Sequence, residues 1–163
     1  MTDPILQQFG GSIATLENVI RAFPESAWAQ GETWHQPWYM AFHCLFWTDY
    51  YLSEADPAYA APAPFTNSEL VSEGYPDRVY TREELADWAH ALQETLAARM
   101  ETVKSADGAA RTCTLPWGTM NAVELLLYNM RHVQHHAGQL NMMIRQASGT
   151  PARWVMRRDG LKR

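Results

Sequence analysis

The sequence has few cysteines, no long apolar run and no excess of basic residues. Only two of its 163 residues are cysteine. Cys44 and Cys113 belong to no C-x-x-C unit, so neither a disulfide framework nor a thiolate zinc site is predicted. No apolar run approaches the ~20 residues of a membrane span, and the first residues, MTDPILQQFG, lack the basic and apolar regions of a secretory leader. We therefore expect a cytoplasmic protein with no membrane partner.

Positive charge is scarce over most of the chain. The formal net charge is −5 at pH 7, which argues against nucleic acid as a partner because phosphate neutralisation needs clustered Lys and Arg. The exception is the segment RWVMRRDGLKR, which holds five basic residues. We predict a single domain over residues 1–150 and a basic tail over 151–163. We expect that tail to be solvated or packed on the domain, in preference to binding an acidic partner.

What the sequence does have is helical periodicity and many aromatic side chains. Hydrophobic residues make up 47% and aromatic residues 12% of the chain, a composition typical of a globular domain with a full core. Apolar spacing and capping residues predict four long helices. The predicted helices cover residues 4–23, 37–52, 81–103 and about 119–148. Asp3 caps the start of the first, Thr81 and Glu84 form a capping box at the start of the third, and Gly149 ends the fourth. No strand is predicted, and the fold class is an all-α, up-and-down four-helix bundle.

A connection of 28 residues, 53–80, joins the second and third predicted helices. It is rich in Ala, Pro and polar residues. A connection this long inside a compact domain is usually functional or partly structured. We expect it to cover one end of the bundle.

Three histidines are predicted to face the core. In RHVQHHAGQL, a turn of about 100° per residue places His132 and His136 in the apolar arc of the last helix and leaves His135 at the solvent boundary. His43 lies on the aromatic face of the second predicted helix, and from that face we select three pocket residues: Tyr39, Trp47 and Tyr50. Histidines at i and i+4 are close enough to bind one ion.

Two interpretations of these histidines remain open. Each could be a hydrogen-bonded core residue, since an isolated inward histidine usually is one. Three inward histidines on two helices favour a shared divalent metal, because one ion would bind a nitrogen of all three rings at once. The pattern is not the H-E-x-x-H of zinc proteases, because Val133 and Gln134 occupy the positions between the histidines and supply no glutamate base.

The stretch PWGTMNAVELLLYNMRHVQHHAGQLNMMIRQASG resembles the C-terminal signature of the DinB/YfiT-like metalloenzymes, whose last helix carries H-x-x-x-H followed by G-Q. WHQPWYMAFHCLFWTDYYL resembles the helix that provides that family's first histidine. The resemblance implies that His43, His132 and His136 are the three metal ligands. Gln139 and Tyr128 lie on the same side of the last helix as the ligands, and we expect them to help orient an imidazole. A basic residue often follows the third ligand in this family, but here it is Ala137.

The resemblance also implies a chemistry. Relatives include metal-dependent transferases and isomerases that use low-molecular-weight thiols such as bacillithiol or mycothiol. We therefore expect a metal-dependent enzyme of thiol (S-)transferase or hydrolase type acting on a small molecule, with zinc or nickel, or else manganese or iron, as the ion. The sequence identifies no catalytic acid or base. Tyr39, Tyr50, Asp49 and Glu124 are equal candidates.

Two other functions stay open. One is a non-catalytic metal-binding or small-ligand-binding bundle that acts as a homodimer. The other is a protein-interaction module that holds no metal.

Overall fold

The computed structural model describes residues 3–72 and 74–159, and this part of the chain is mostly helical with one small β-sheet. The elements in chain order are α1 (Pro4–Ala22), α2 (Glu25–Trp28), α3 (Pro37–Leu52), α4 (Arg82–Lys104), α5 (Ala106–Ala109), β1 (Thr112–Leu115), β2 (Gly118–Asn121) and α6 (Ala122–Ser148). Single turns of 3-10 helix occupy Thr33–His35 and Ser68–Leu70. Within the described residues, no helix combines the length and hydropathy that crossing a membrane requires.

Capping residues confirm several predicted ends of the long helices. The Asp3 carboxylate accepts hydrogen bonds from two backbone N–H groups in the first turn of α1. At the start of α4, the Thr81 hydroxyl accepts from the Glu84 N–H at 3.1 Å, and the Glu84 carboxylate accepts from the Thr81 N–H at 2.8 Å. α6 stops at Gly149, whose φ of 78° is the left-handed conformation that favours glycine.

The prediction of a chain without strands is wrong between residues 112 and 121. β1 and β2 pair as an antiparallel hairpin, with Thr112 opposite Asn121 and Leu115 opposite Gly118. Consequently α6 begins at Ala122 and not near residue 119. In β1 the buried Cys113 and Leu115 alternate with exposed threonines, and this alternation extends over only four residues. An alternation this short is too weak to predict a strand from sequence.

The four long helices share one core. α1 packs against α4 and α6, and α3 packs against the same two helices. α3 is buried on nearly all sides, which explains why its sequence is apolar and aromatic around the whole helix. A buried amide fixes α6 against α3, because Nδ2 of Asn129 donates to the carbonyl of Thr48 at 2.9 Å.

The connection between α3 and α4 packs onto both helices. Phe65 stacks on Trp88 of α4 with ring centroids 4.2 Å apart. Tyr75 stacks on Tyr39 of α3 at 4.7 Å. These two contacts hold the intervening 3-10 turn, Ser68–Leu70, near the middle of α3.

The described part of the C-terminal tail packs along α1. The backbone N–H of Val155 donates to the Thr15 hydroxyl at 3.0 Å, and the Arg158 guanidinium donates to the carbonyl of Gln93 on α4 at 3.1 Å. The last part of the predicted tail, residues 160–163, lies outside the described residues. The division into a 1–150 domain and a 151–163 tail stays a prediction.

Candidate metal centre

α3 and α6 bring three histidines together. One ring nitrogen from each of His43, His132 and His136 lies within 4.8 Å of the other two. The ring centroids are 5.6 Å apart for His43 and His132, 5.1 Å for His43 and His136, and 4.6 Å for His132 and His136. The helical spacing of the last two follows directly from their positions at i and i+4.

Two of these rings have a nitrogen that the protein leaves unsatisfied. Nδ1 of His132 and Nδ1 of His136 are buried, and neither has a hydrogen-bond partner among the described residues. Leaving a buried polar atom unpaired costs about 1–3 kcal/mol. Imidazole nitrogens are the commonest protein ligands of divalent metals, so the donor set fits an ion.

The environment keeps the α6 histidines neutral. Burial, reinforced by the neighbouring His136 and His43, lowers the pKa of His132 to about 2. Burial and the nearby His43 and His135 lower the pKa of His136 to about 4, while the neighbouring Gln139 side chain acts in the opposite direction. Both rings therefore retain a lone pair at neutral pH, which is the form that binds a metal.

A carboxylate from the connection orients the third ring. Nδ1 of His43 lies 2.8 Å from Oε2 of Glu69, in the Ser68–Leu70 turn. The same carboxylate accepts a hydrogen bond from Nε1 of Trp47 at 2.7 Å and another from the Tyr39 hydroxyl. Three donors of α3, one turn apart, thus converge on Glu69.

These donors determine the charge of Glu69 and the tautomer of His43. Burial acts to raise the pKa of Glu69, but the contact with His43, with help from the hydrogen bonds of Tyr39 and Trp47, brings it below its ordinary value. As an ionised acceptor, Glu69 favours the His43 tautomer that carries its proton on Nδ1. Nε2 of His43 then keeps its lone pair, as in carboxylate–histidine–metal arrangements.

Sequence reasoning missed Glu69, and it also missed Tyr51 beside His132 and Trp117 beside Trp47. The Tyr51 ring lies 6.0 Å from His132, and Trp117, in the turn between β1 and β2, lies 5.4 Å from Trp47. Trp117 could not be placed without the hairpin. The one available signal for Glu69 was its position in a connection so long that it was expected to be functional or partly structured.

The pocket residues selected from the sequence fall into two groups. Tyr39 and Trp47 reach the centre through Glu69. Tyr50 does not, because its hydroxyl donates to the carbonyl of Ala55 at 3.3 Å in the connection. On α6, Tyr128 and His135 line a cavity together with His132, and Gln139 lies beside His136.

Asp49 and Glu124, two of the acid and base candidates from the sequence, have no contact with the three rings among the described residues. Asp49 is buried on the side of α3 that faces α4, where it accepts hydrogen bonds from Trp88 and Arg99. Glu124 is exposed in the first turn of α6. Tyr39 donates to Glu69, and burial followed by that contact raises its pKa well above the ordinary value. The structure therefore singles out none of them as a catalytic acid or base.

Comparison with known protein families identifies a relationship. The model of the DinB superfamily matches residues 8–140, which include all three histidines and Glu69. No curated protein sequence matches the chain significantly.

Proposed function

Since the chain belongs to the DinB superfamily, we propose that it is a metal-dependent enzyme in which His43, His132 and His136 hold a divalent ion. The observation that carries this proposal is the approach of three histidine nitrogens to within 4.8 Å of one another. In two of these rings the buried Nδ1 has no hydrogen-bond partner in the part of the chain that the structure describes. We interpret the packing of α1, α3, α4 and α6 as an up-and-down four-helix bundle that holds this site.

The proposed chemistry is thiol (S-)transfer or hydrolysis on a small molecule. A divalent ion held by His43, His132 and His136 would lower the pKa of a thiol or water bound to it, and would so supply a nucleophile near neutral pH. The thiol would come from a low-molecular-weight compound, because Cys44 and Cys113 are both buried and burial raises the pKa of each thiol above its ordinary value.

The residues around the centre have separate tasks in this proposal. The buried pair His132 and His136 supplies neutral nitrogens, and Glu69 fixes the orientation and tautomer of His43. Tyr51 and Trp47 reduce the access of water on the α3 side. Glu69 is not assigned as the base, because its carboxylate already accepts three hydrogen bonds.

Metal analysis of protein produced without a histidine tag tests the first part. We expect about one divalent ion per chain by elemental analysis, with zinc or nickel ahead of manganese or iron. His132→Ala should abolish it. His90→Ala is the matched control, since His90 is an exposed histidine on α4 and should leave the metal content unchanged. Wild-type protein that retains no ion after incubation with each metal would contradict the proposal.

Activity separates an enzyme from a binding protein. The metal-loaded protein should transfer bacillithiol, mycothiol or glutathione to an electrophile such as monochlorobimane, or hydrolyse a small ester or amide. The His132→Ala variant should be inactive. Metal binding without turnover on this panel would favour the non-catalytic alternative, in which the ion only stabilises the bundle.

A further inference from the structure

A cavity of about 480 Å³ opens beside His132 on the outer side of α6. Its lining residues are Tyr128, Arg131, His132, Gln134 and His135. Four of these lie at i, i+3, i+4 and i+7, so they share one face of the helix. The cavity is thus continuous with one of the three proposed ligands.

Hydrogen-bond donors dominate the polar lining of this cavity. Arg131 offers a permanently charged guanidinium with five donors and no acceptor, and His135 and Gln134 can also donate. Among the described residues, no carboxylate lines the cavity, although acidic residues outnumber basic ones by 18 to 13 in the whole chain. The local charge is therefore opposite to that of the whole protein.

Arg131 is available to a ligand. Among the described residues it makes no ion pair and no side-chain hydrogen bond. Other arginines, including Arg82, Arg99 and Arg111, form ion pairs with carboxylates. A guanidinium matches the geometry of carboxylate and phosphate groups, which it binds with two parallel hydrogen bonds.

An aromatic wall completes the cavity. The half-buried Tyr128 lines it, and the Tyr51 ring packs edge-on against Tyr128 with centroids 5.5 Å apart. A ligand with an apolar or planar body can lie on this wall while its charged end reaches Arg131.

We infer that this cavity is an oxyanion subsite in which Arg131, assisted by His135, binds a carboxylate or phosphate group of the substrate. The inference rests on the proposed function, since it makes His132 the boundary between the subsite and the metal centre. It specifies the substrate class as a compact organic anion with an apolar body.

Three probes of similar shape and different charge test the subsite: benzoate, phenyl phosphate and benzamide. Each is titrated into metal-free and zinc-loaded protein and followed by ¹H–¹⁵N NMR. We expect at least one anion to bind about fivefold to tenfold more tightly than benzamide in both forms, as one charge-assisted contact predicts. The tighter anion identifies whether the group is a carboxylate or a phosphate.

Variants assign the preference to the cavity. Arg131→Gln should remove the preference for the anion, and Arg131→Lys, which keeps the charge, should retain part of it. Arg145→Gln is the matched control, because Arg145 is an exposed arginine on α6 that does not line the cavity. Equal affinity for benzamide and both anions, or a preference that persists in Arg131→Gln, would overturn the inference. Failure to take up zinc would instead count against the proposed function, so the two failures are distinguishable.

Discussion

Nδ1 of His43 lies 2.8 Å from Oε2 of Glu69, and this contact joins the helix that supplies one proposed ligand to the connection that follows it. The Glu69 side chain is only 6% exposed. A hydrogen bond between a buried carboxylate and a ring N–H is strong because one partner is charged. The connection between α3 and α4 therefore contributes to the proposed metal centre, because its Glu69 orients the His43 ring.

Replacing Glu69 by Gln should weaken metal binding while the protein stays folded. The amide keeps the size of the side chain, but only one of its two ends can accept a hydrogen bond, so it cannot serve all three α3 donors. Loss of a hydrogen bond that orients a metal-binding histidine typically lowers metal affinity about 10-fold to 100-fold. Competition with a chromogenic chelator measures this affinity.

Glu124→Gln is the matched control, since Glu124 is an exposed glutamate at the start of α6. It should leave the metal affinity at the wild-type value. If Glu69→Gln also binds zinc as tightly as the wild type, Glu69 does not position His43.

Acid should destabilise the metal-free protein through the α6 histidines. Their folded pKa values, about 2 for His132 and about 4 for His136, are below the ordinary value of about 6.5. The unfolded chain therefore binds more protons, so the stabilisation is complete above pH 6.5 and is lost as the pH falls. We expect each histidine to remove about 1–2 kcal/mol of unfolding free energy between pH 7 and pH 5.

Urea unfolding at pH 7, 6 and 5 measures this loss. The window stays above the range in which most carboxylates titrate, so the two histidines dominate it. His132→Asn removes one of the two groups and should reduce the pH dependence by about half. A stability that does not change between pH 7 and pH 5 would show that these rings are not buried as neutral imidazoles.

The inward-facing positions of the three histidines could be predicted, because the sequence pattern that indicates them lies within single helices. The spacing of His132 and His136 and the apolar surroundings of His43 are properties of single helices, and a turn of 100° per residue is enough to find the inward face. The caps at Asp3, Thr81 and Gly149 are local in the same sense. These parts of the prediction needed no knowledge of how the helices pack.

Glu69 and the hairpin could not be predicted because they depend on long-range contacts. Glu69 is one of several acidic residues in the 53–80 connection, and only the packing of Phe65 and Tyr75 on the helices selects it. β1 and β2 are four residues each and are stabilised by pairing with one another. Neither feature has a periodic pattern that extends beyond one or two turns.

Arg99 should be important for stability because it neutralises a buried carboxylate. Asp49 is 4% exposed, and its two oxygens accept from Arg99 at 2.5 Å and from Trp88 at 3.1 Å. Arg99→Met leaves the buried charge with one neutral donor, which should cost about 3–5 kcal/mol of unfolding free energy. The double variant Asp49→Asn/Arg99→Met should cost less, because it also removes the charge.

Urea unfolding of both variants tests the ion pair. Arg145→Met, at an exposed arginine, is the control and should stay within about 0.5 kcal/mol of the wild type. A double variant no more stable than Arg99→Met would show that Arg99 contributes through packing and not through the charge of Asp49.

Two glycines inside α1 are explained by the tail that crosses it. A methyl group on Gly10 would lie 2.7 Å from three side-chain carbons of Arg158, and one on Gly11 would lie 3.1 Å from Cα of Arg157. Glycine in a helix interior usually costs about 1 kcal/mol relative to alanine. Here it allows the backbone of the tail to approach α1 closely.

Replacing two helical glycines by alanine should therefore have opposite effects on the stability of the protein. A methyl group on Gly138 of α6 would meet no other described atom within 4 Å, so Gly138→Ala should stabilise the protein by about 0.5–1 kcal/mol. Gly11→Ala gains the same helical preference, but it forces the tail away at a cost of about 1–3 kcal/mol. We expect a net loss of stability in urea and faster proteolysis of the tail in this variant. If Gly11→Ala were as stabilising as Gly138→Ala, the tail would not be packed on α1 in solution.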